Sequence, residues 1–442
     1  MSFLQFVRDV QDNALATYRP EDFACDIGAR RLLWRRTFII NDPDGIRHVL
    51  LDNAGNYRKS DLTRRLLEPG IGRGLLTSEG ETWRRHRRIM APSFDPRSVA
   101  GYAPIMADVV AHELLERWRS LPNSGEIDIS TEMMHTTLHI ISRAMFSTDS
   151  NDIVDVVGRG VEDYQKSVRP TLLDLLGAPM WLCRMLSPRR RNDALIEFDR
   201  VVDELIRSRR QNPDAHPQDL LSRLIRASDA DGGEGMSAKD LRDQVVTIFM
   251  AGHETTAQAL SWIFYLLALH PDAERKLHAE LADVLVGRSP SAEDFKRLPY
   301  TRMVIEESMR LYPPAHTMAR EPDAADEILG RHIPAGATVL ISPWLLHRKP
   351  SLWPDPDRFE PERFAADAAS ARHRFAYIPF GAGQRICIGA AFAMQEAMVI
   401  LASVSQHYTL RLKPGHPVEP QGLITLRPRN GIRMLQERRA PL

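Results

Sequence analysis

Cys387 lies in the stretch Phe380-Gly381-Ala382-Gly383-Gln384-Arg385-Ile386-Cys387-Ile388-Gly389, seven residues after a phenylalanine, two after an arginine, and directly before an apolar run. A thiolate in an apolar pocket needs backbone N–H donors and the positive end of a helix to carry its charge. Gly381, Gly383 and Gly389 let the backbone turn close to the sulfur. The pattern is a cradle for a metal-bound thiolate, with Arg385 beside the bound group and ready for an acid. A lone cysteine is more often a small buried hydrophobe, so this reading rests on the whole ten-residue pattern.

Three further sets of side chains have chemistry in their spacing. Ala251-Gly252-His253-Glu254-Thr255-Thr256 falls inside an apolar helix. There Gly252 costs about 1 kcal/mol against alanine, and two threonine hydroxyls compete for backbone carbonyls. Local rules broken in a core element point to function, and an acid next to an alcohol can handle protons. Thr255 can present its hydroxyl to a reacting group, with Ala251 and Gly252 leaving space one turn earlier, or bond back to a carbonyl of that turn. Glu254, about 100° around the helix, can face a path to solvent. Trp83 and Arg87 are four apart and share a helical face, either as a surface stacking pair or as joint donors to a carboxylate. Glu307 and Arg310, three apart, form a pair worth little alone, and Arg363 in Pro361-Glu362-Arg363-Phe364 supplies a third partner.

At Phe380, Gly381, Gly383, Arg385, Cys387 and Gly389, and in the order of the three upstream motifs, the chain resembles the cytochrome P-450 family of haem-thiolate monooxygenases. The resemblance covers nearly the whole sequence. It implies the cytochrome P-450 fold, mainly α with small β sheets, with residues 1–442 forming a single haem domain. It implies one haem b between the long helix at Glu254 and the loop at Cys387, with Cys387 as axial iron ligand. Phe380 and Arg385 would flank the haem, and Trp83, Arg87 and Arg320 would meet its propionates. Glu254 and Thr255 would be catalytic, and Ala251, Ala315, His316 and Thr317 would line the substrate pocket. Glu307, Arg310 and Arg363 would lock the fold around the cysteine loop.

The implied reaction inserts one atom of dioxygen into a hydrophobic small molecule, by hydroxylation or epoxidation. Electrons would come from NAD(P)H through a separate ferredoxin or flavodoxin with its reductase, docked on the basic patch of Arg84, Arg85 and Arg88. Two alternatives stand beside this one. A peroxide-driven peroxygenase of the same fold typically replaces the acid–alcohol pair that this chain keeps, and a non-catalytic haem-binding sensor has no need of it.

The supporting elements follow from caps and periodicity. Ser237 and Asp240 form a capping box, and the helix they start can run to His270 before Pro271, about 50 Å. It is apolar nearly all round, so it should cross the centre of the protein. A second helix runs from Pro299 and stops before Pro313-Pro314, and a third follows Gly389. Met133, Leu138, Ile141 and Met145 mark a core face. Leu32–Trp34, Thr37–Ile40 and Val339–Ile341 are strands, while Tyr408–Leu412, Leu423–Leu426 and Ile432–Leu435 suggest a terminal hairpin. The Tyr57–Thr77 region is expected to be irregular. The apolar segment Thr171–Leu182 is either buried lid packing or a substrate entrance, and Arg189-Arg190-Arg191 is a solvated turn.

Composition narrows the surroundings. With 58 basic and 58 acidic residues the chain has no global field to attract nucleic acid. Three scattered cysteines are too few for a disulfide framework, which points to the reducing cytoplasm. Charges within the first ten residues leave neither a signal-peptide core nor a membrane span there. At 442 residues, two or three domains would be the default, and only the resemblance argues for one.

Overall fold

The computed structural model describes residues 3–32, 35–148, 170–175, 193–212, 219–229 and 236–440, with isolated positions at 156, 158, 160, 168 and 178. Leu33-Trp34, most of the apolar segment beyond Leu175, and the Arg189–Arg191 turn lie outside these residues.

The helix Ala238–Leu269 runs through the core as its periodicity implied. Ser237 Oγ accepts from the Asp240 N–H at 3.0 Å, and Asp240 Oδ2 accepts from the Ser237 N–H at 3.2 Å, so the first turn is capped reciprocally. Pro271 then ends it by starting the next helix, Pro271–Leu285. The long helix packs along Ile129–Phe146, whose Met133, Leu138, Ile141 and Met145 are all buried. A Cβ on Gly252 would come within 2.9 Å of Ile141 Cδ1. The glycine thus lies against Ile141 of the neighbouring helix, whose side chain would have to shift to admit a larger residue, whereas the sequence suggested only space for Thr255. Pro299–Leu311 and Ala390–His407 complete the core around the long helix.

A five-stranded sheet lies beside this helical body in the order Ile27–Leu32, Arg35–Ile40, Thr338–Ile341, Met318–Pro322, Tyr57–Lys59. Tyr57–Thr77 is more regular than expected. After the edge strand, Ser60 Oγ accepts from the Thr63 N–H at 3.2 Å and starts a helix over Asp61–Ile71. Pro69, which has no N–H to donate, falls in the last turn of this helix, so the interruption it causes is confined to that end. The expected terminal hairpin is two structures. Arg433–Arg438 pairs with Tyr408–Leu412 on one side and with Gly125–Asp128 on the other. Pro420–Gly422 and Leu426–Pro428 form a separate ribbon whose turn is Leu423–Thr425. Pairing with a strand some 300 residues earlier in the chain leaves no local signature.

Glu307 and Arg310 are both fully buried. Arg310 donates to both carboxylate oxygens of Glu307, at 2.7 and 2.8 Å. Its remaining N–H groups donate to the carbonyls of His347, Pro356 and Arg358 at 2.8, 2.6 and 3.0 Å. Arg363 approaches Glu307 at 3.5 Å and also pairs with Glu360 at 3.1 Å. One guanidinium thus ties three separate points of the chain to one helix. Leaving a buried charge without its partner costs about 3–5 kcal/mol. Glu307→Ala and Arg310→Ala should each lower stability by about that much, and Arg363→Ala, with other partners for its guanidinium, by clearly less. Denaturant midpoints of the three variants check this, and equal midpoints would show that the bidentate pair is not the anchor.

Candidate functional site

The cysteine loop is closed by one backbone bond, with the Cys387 N–H donating to the Phe380 carbonyl at 2.9 Å. Between them, Gly383 adopts φ +68°, and a Cβ there would lie 1.8 Å from the Leu50 carbonyl oxygen. Gly381, also left-handed at φ +72°, has only Met318 Sδ nearby, at 3.5 Å from an added Cβ. The loop is tied to the buried ion pair through His347. Its carbonyl accepts from Arg310, and its Nε2 accepts from the Ile378 N–H at 3.0 Å.

At the far end of the loop, the Gly389 N–H donates to the Cys387 sulfur where the helix Ala390–His407 begins. Burial pushes the Cys387 thiol up, opposed by that N–H and by Arg87. Yet Cys387 retains accessible surface as an exposed residue would. A side chain that is both desolvated and accessible lines an enclosed hollow.

Charges around this hollow are unbalanced. Lys59 and Arg320 are directly paired across neighbouring strands, and like charges so placed repel. Arg385 stacks over the Trp83 ring at 3.9 Å, donates to the Ser78 carbonyl at 3.0 Å and pairs with Glu79. Arg87 lies 5.6 Å from the same ring and donates to the Ile386 carbonyl at 2.9 Å. Burial and neighbouring cations push Lys59 down to about 7 and Arg320 down to about 10, with Glu79 the only carboxylate opposing either shift. Glu79 alone opposes this cluster of cations, and the two propionates of a haem would supply the missing negative charge. Trp83, Arg87, Arg320 and Arg385 were expected here; Lys59 and Glu79 were not. Lys59 reaches the group through strand pairing with Arg320 and through its backbone N–H, which donates to Glu79 at 3.0 Å.

On the long helix, Ala251, Gly252 and Thr255 keep accessible surface while the residues around them are buried, which places an opening on that face. Thr255 Oγ1 donates to the Ala251 carbonyl at 3.0 Å. The back-bond uses the hydroxyl's one proton and leaves its oxygen able to accept. Glu254 does not face the solvent path expected from its helical position. The C-terminal ribbon covers that side, and Thr425 Oγ1 donates to Glu254 Oε1 at 2.6 Å. Burial pushes Glu254 up to about 7, against the pull of Thr425 and Arg427.

Of the three residues expected in the substrate pocket after the prolines, only Ala315 is exposed. His316 is buried and its Nε2 donates to the Leu423 carbonyl at 2.9 Å, while Thr317 Oγ1 bonds the Tyr18 hydroxyl at 2.7 Å. Both therefore hold neighbouring segments in place, because each ring or hydroxyl already has a fixed partner.

The family model described as Cytochrome P-450 matches residues 26–433. The chain belongs to the cytochrome P-450 family. It is 36% identical over 422 residues to cyclooctatin synthase of Streptomyces melanosporofaciens, covering 94% of this chain and 89% of that one. Cyclooctat-9-en-7-ol 5-monooxygenase of the same organism is 36% identical over 417 residues, covering 90% of this chain and 86% of its own. Among solved structures, the cytochrome P450DA heme domain superposes with a TM-score of 0.80 at 25% identity, covering 99% of this chain and 92% of that one.

The fold is therefore the cytochrome P-450 fold, and the enzyme is a haem-thiolate monooxygenase. In this P-450 the enclosed sulfur, its amide donor and the anion-poor cation cluster all suit a haem with its iron at the cysteine. The two left-handed glycines of the loop differ in what they tolerate. Gly383→Ala puts a Cβ into a backbone oxygen and should abolish haem incorporation, whereas Gly381→Ala should cost only the left-handed strain of about 1–2 kcal/mol. Haem absorbance per mole of purified protein distinguishes the two, and full occupancy in Gly383→Ala would contradict the loop geometry described.

Proposed function

We propose that residues 1–442 act as one cytoplasmic haem domain that hydroxylates or epoxidises a hydrophobic small molecule. Cys387 would hold the haem iron, and electrons would arrive from NAD(P)H through a separate ferredoxin or flavodoxin. One oxygen atom of O₂ enters the substrate and the other leaves as water, consuming two electrons and two protons. The bound haem supplies the activation of dioxygen, and thiolate ligation favours O–O cleavage. This chain's own residues hold and feed that centre. Phe380, Arg385, Trp83, Arg87, Arg320 and Lys59 seat it, Ala251 and Ala315 line the substrate space, and Glu254 and Thr255 move protons to it. Arg84 and Arg88 are exposed on the helix Gly80–Met90 and suit an acidic electron donor, although Arg84 already pairs with Glu81.

The observation that carries this reading is the acid–alcohol pair beside an opening in a buried helix. A carboxyl held near 7 both keeps a proton and releases it at neutral pH. A peroxide-driven enzyme or a sensor has no use for that arrangement.

The name of one relative supplies a first substrate probe, cyclooctat-9-en-7-ol. Incubated with that alcohol or a library of other hydrophobic compounds, NAD(P)H, a bacterial ferredoxin and its reductase under ¹⁸O₂, the enzyme should yield product with one labelled atom. Product formed only with added peroxide would make it a peroxygenase, and ligand-induced spectral shifts without turnover across the whole library would make it a sensor. Cys387→His should lose both product and the thiolate signature of the ferrous carbon monoxide spectrum.

Proton delivery has its own test. Glu254 loses its proton as pH rises through about 7, so turnover should fall on the alkaline side of that value. Glu254→Gln should be slow at every pH and lack this limb. Thr255→Ala should keep haem and substrate binding but release hydrogen peroxide in place of product. Full coupling in Thr255→Ala would remove its hydroxyl from the relay.

A further inference from the structure

Glu254 owes its orientation to the opposite end of the chain. Its carboxyl is buried, and Thr425, itself only 6% exposed, lies 171 positions later yet donates to Oε1 at 2.6 Å. The turn that carries Thr425 is pinned on several sides. The Leu426 N–H donates to the Pro314 carbonyl at 2.9 Å, and Trp262, two turns beyond Glu254 on the same helix, donates from Nε1 to the Leu426 carbonyl at 3.3 Å. His316 holds the Leu423 carbonyl at 2.9 Å.

The other end of the ribbon is hooked by the N-terminal segment. Asn13 Nδ2 donates to the Pro420 carbonyl at 3.0 Å, and Asn13 Oδ1 accepts from the Gly422 N–H at 2.8 Å. Asp12 contributes its carbonyl to Gln421 at 2.7 Å and its carboxylate to Arg429 at 3.0 and 2.7 Å. Leu15 packs so closely that a Cβ on Gly422 would lie 2.9 Å from its Cγ. The Thr425 hydroxyl is therefore a fixed point, and nothing in the local sequence around Glu254 announces it.

We propose that Thr425 is a positioning residue for proton delivery, its hydroxyl fixing the Glu254 carboxyl so that Oε2 is the oxygen that carries and releases the proton. The carbonyl-type oxygen of a protonated carboxyl is the stronger acceptor, so a hydroxyl donating to Oε1 favours the proton on Oε2. On release, Oε1 and Oε2 share one negative charge that Thr425 and Arg427 of the same ribbon stabilise until the carboxyl is reprotonated. The proposal rests on reading Glu254 as the proton donor.

The decisive measurement is infrared difference titration of the haem-loaded protein, with the Glu254 carboxyl band identified by its loss in Glu254→Gln. Thr425→Val should move that band to higher frequency and raise its midpoint by roughly half to one pH unit, the effect of one lost hydrogen bond to the charged form. Thr425→Ser should restore both. The solvent deuterium isotope effect on NAD(P)H oxidation should rise in Thr425→Val and return to the wild-type value in Thr425→Ser, a pattern that simple loss of packing does not produce. Should Thr425→Val fail to fold, the titration of Thr425→Ala against Thr425→Ser decides instead. A band and midpoint unchanged by loss of the hydroxyl overturn the positioning role while leaving Glu254 as donor. Unchanged turnover in Glu254→Gln overturns the donor reading, and this proposal with it.

Discussion

The buried ion pair of Glu307 and Arg310 is the constraint on which the cysteine side of the molecule depends. A guanidinium removed from water is tolerable only when nearly all of its N–H groups are satisfied, and Arg310 meets that demand with one carboxylate and three carbonyls. The first of those carbonyls belongs to the residue that caps the short helix Pro343–Leu346, and the other two belong to an irregular stretch beyond it. His347 carries the constraint onward, since its ring accepts the Ile378 N–H just where the cysteine loop begins. The position of the sulfur is thus set by charge desolvation some 80 residues earlier in the chain.

Around the sulfur the electrostatics describe a site built for a dianionic, iron-bearing group. Several cations cluster around the single carboxylate of Glu79, Lys59 and Arg320 are forced together by strand pairing, and the thiol is raised by burial. Each feature is unfavourable in isolation. A thiolate bound to iron and propionates set among the cations would relieve them together, so the apoprotein in this geometry should be strained relative to the loaded enzyme.

The distal side uses a different device. The long helix presents Ala251, Gly252 and Thr255 to an opening and turns Glu254 toward the C-terminal ribbon. Burial pushes the carboxyl up to about 7, and Thr425 and Arg427 oppose that rise. That ribbon is in turn held by Asp12 and Asn13, so residues near both termini bear on the placement of Glu254.

Several features were legible in the sequence because their causes are local. The capping box at Ser237, the uninterrupted apolar periodicity beyond it, the proline that ends it, and the spacing of arginine, cysteine and glycines in the cysteine loop all act within a few residues. The same locality let Trp83 with Arg87 and Glu307 with Arg310 be read as pairs. Only the tertiary structure decided matters that depend on which distant segments meet. Gly252 answers to Ile141 of a neighbouring helix, and Lys59 joins the cation cluster through a strand partner more than 250 residues away. His316 is spent on Leu423, and Glu254 faces Thr425 instead of solvent. Periodicity states which face of a helix a side chain occupies, but what covers that face is chosen by packing between elements far apart in the chain.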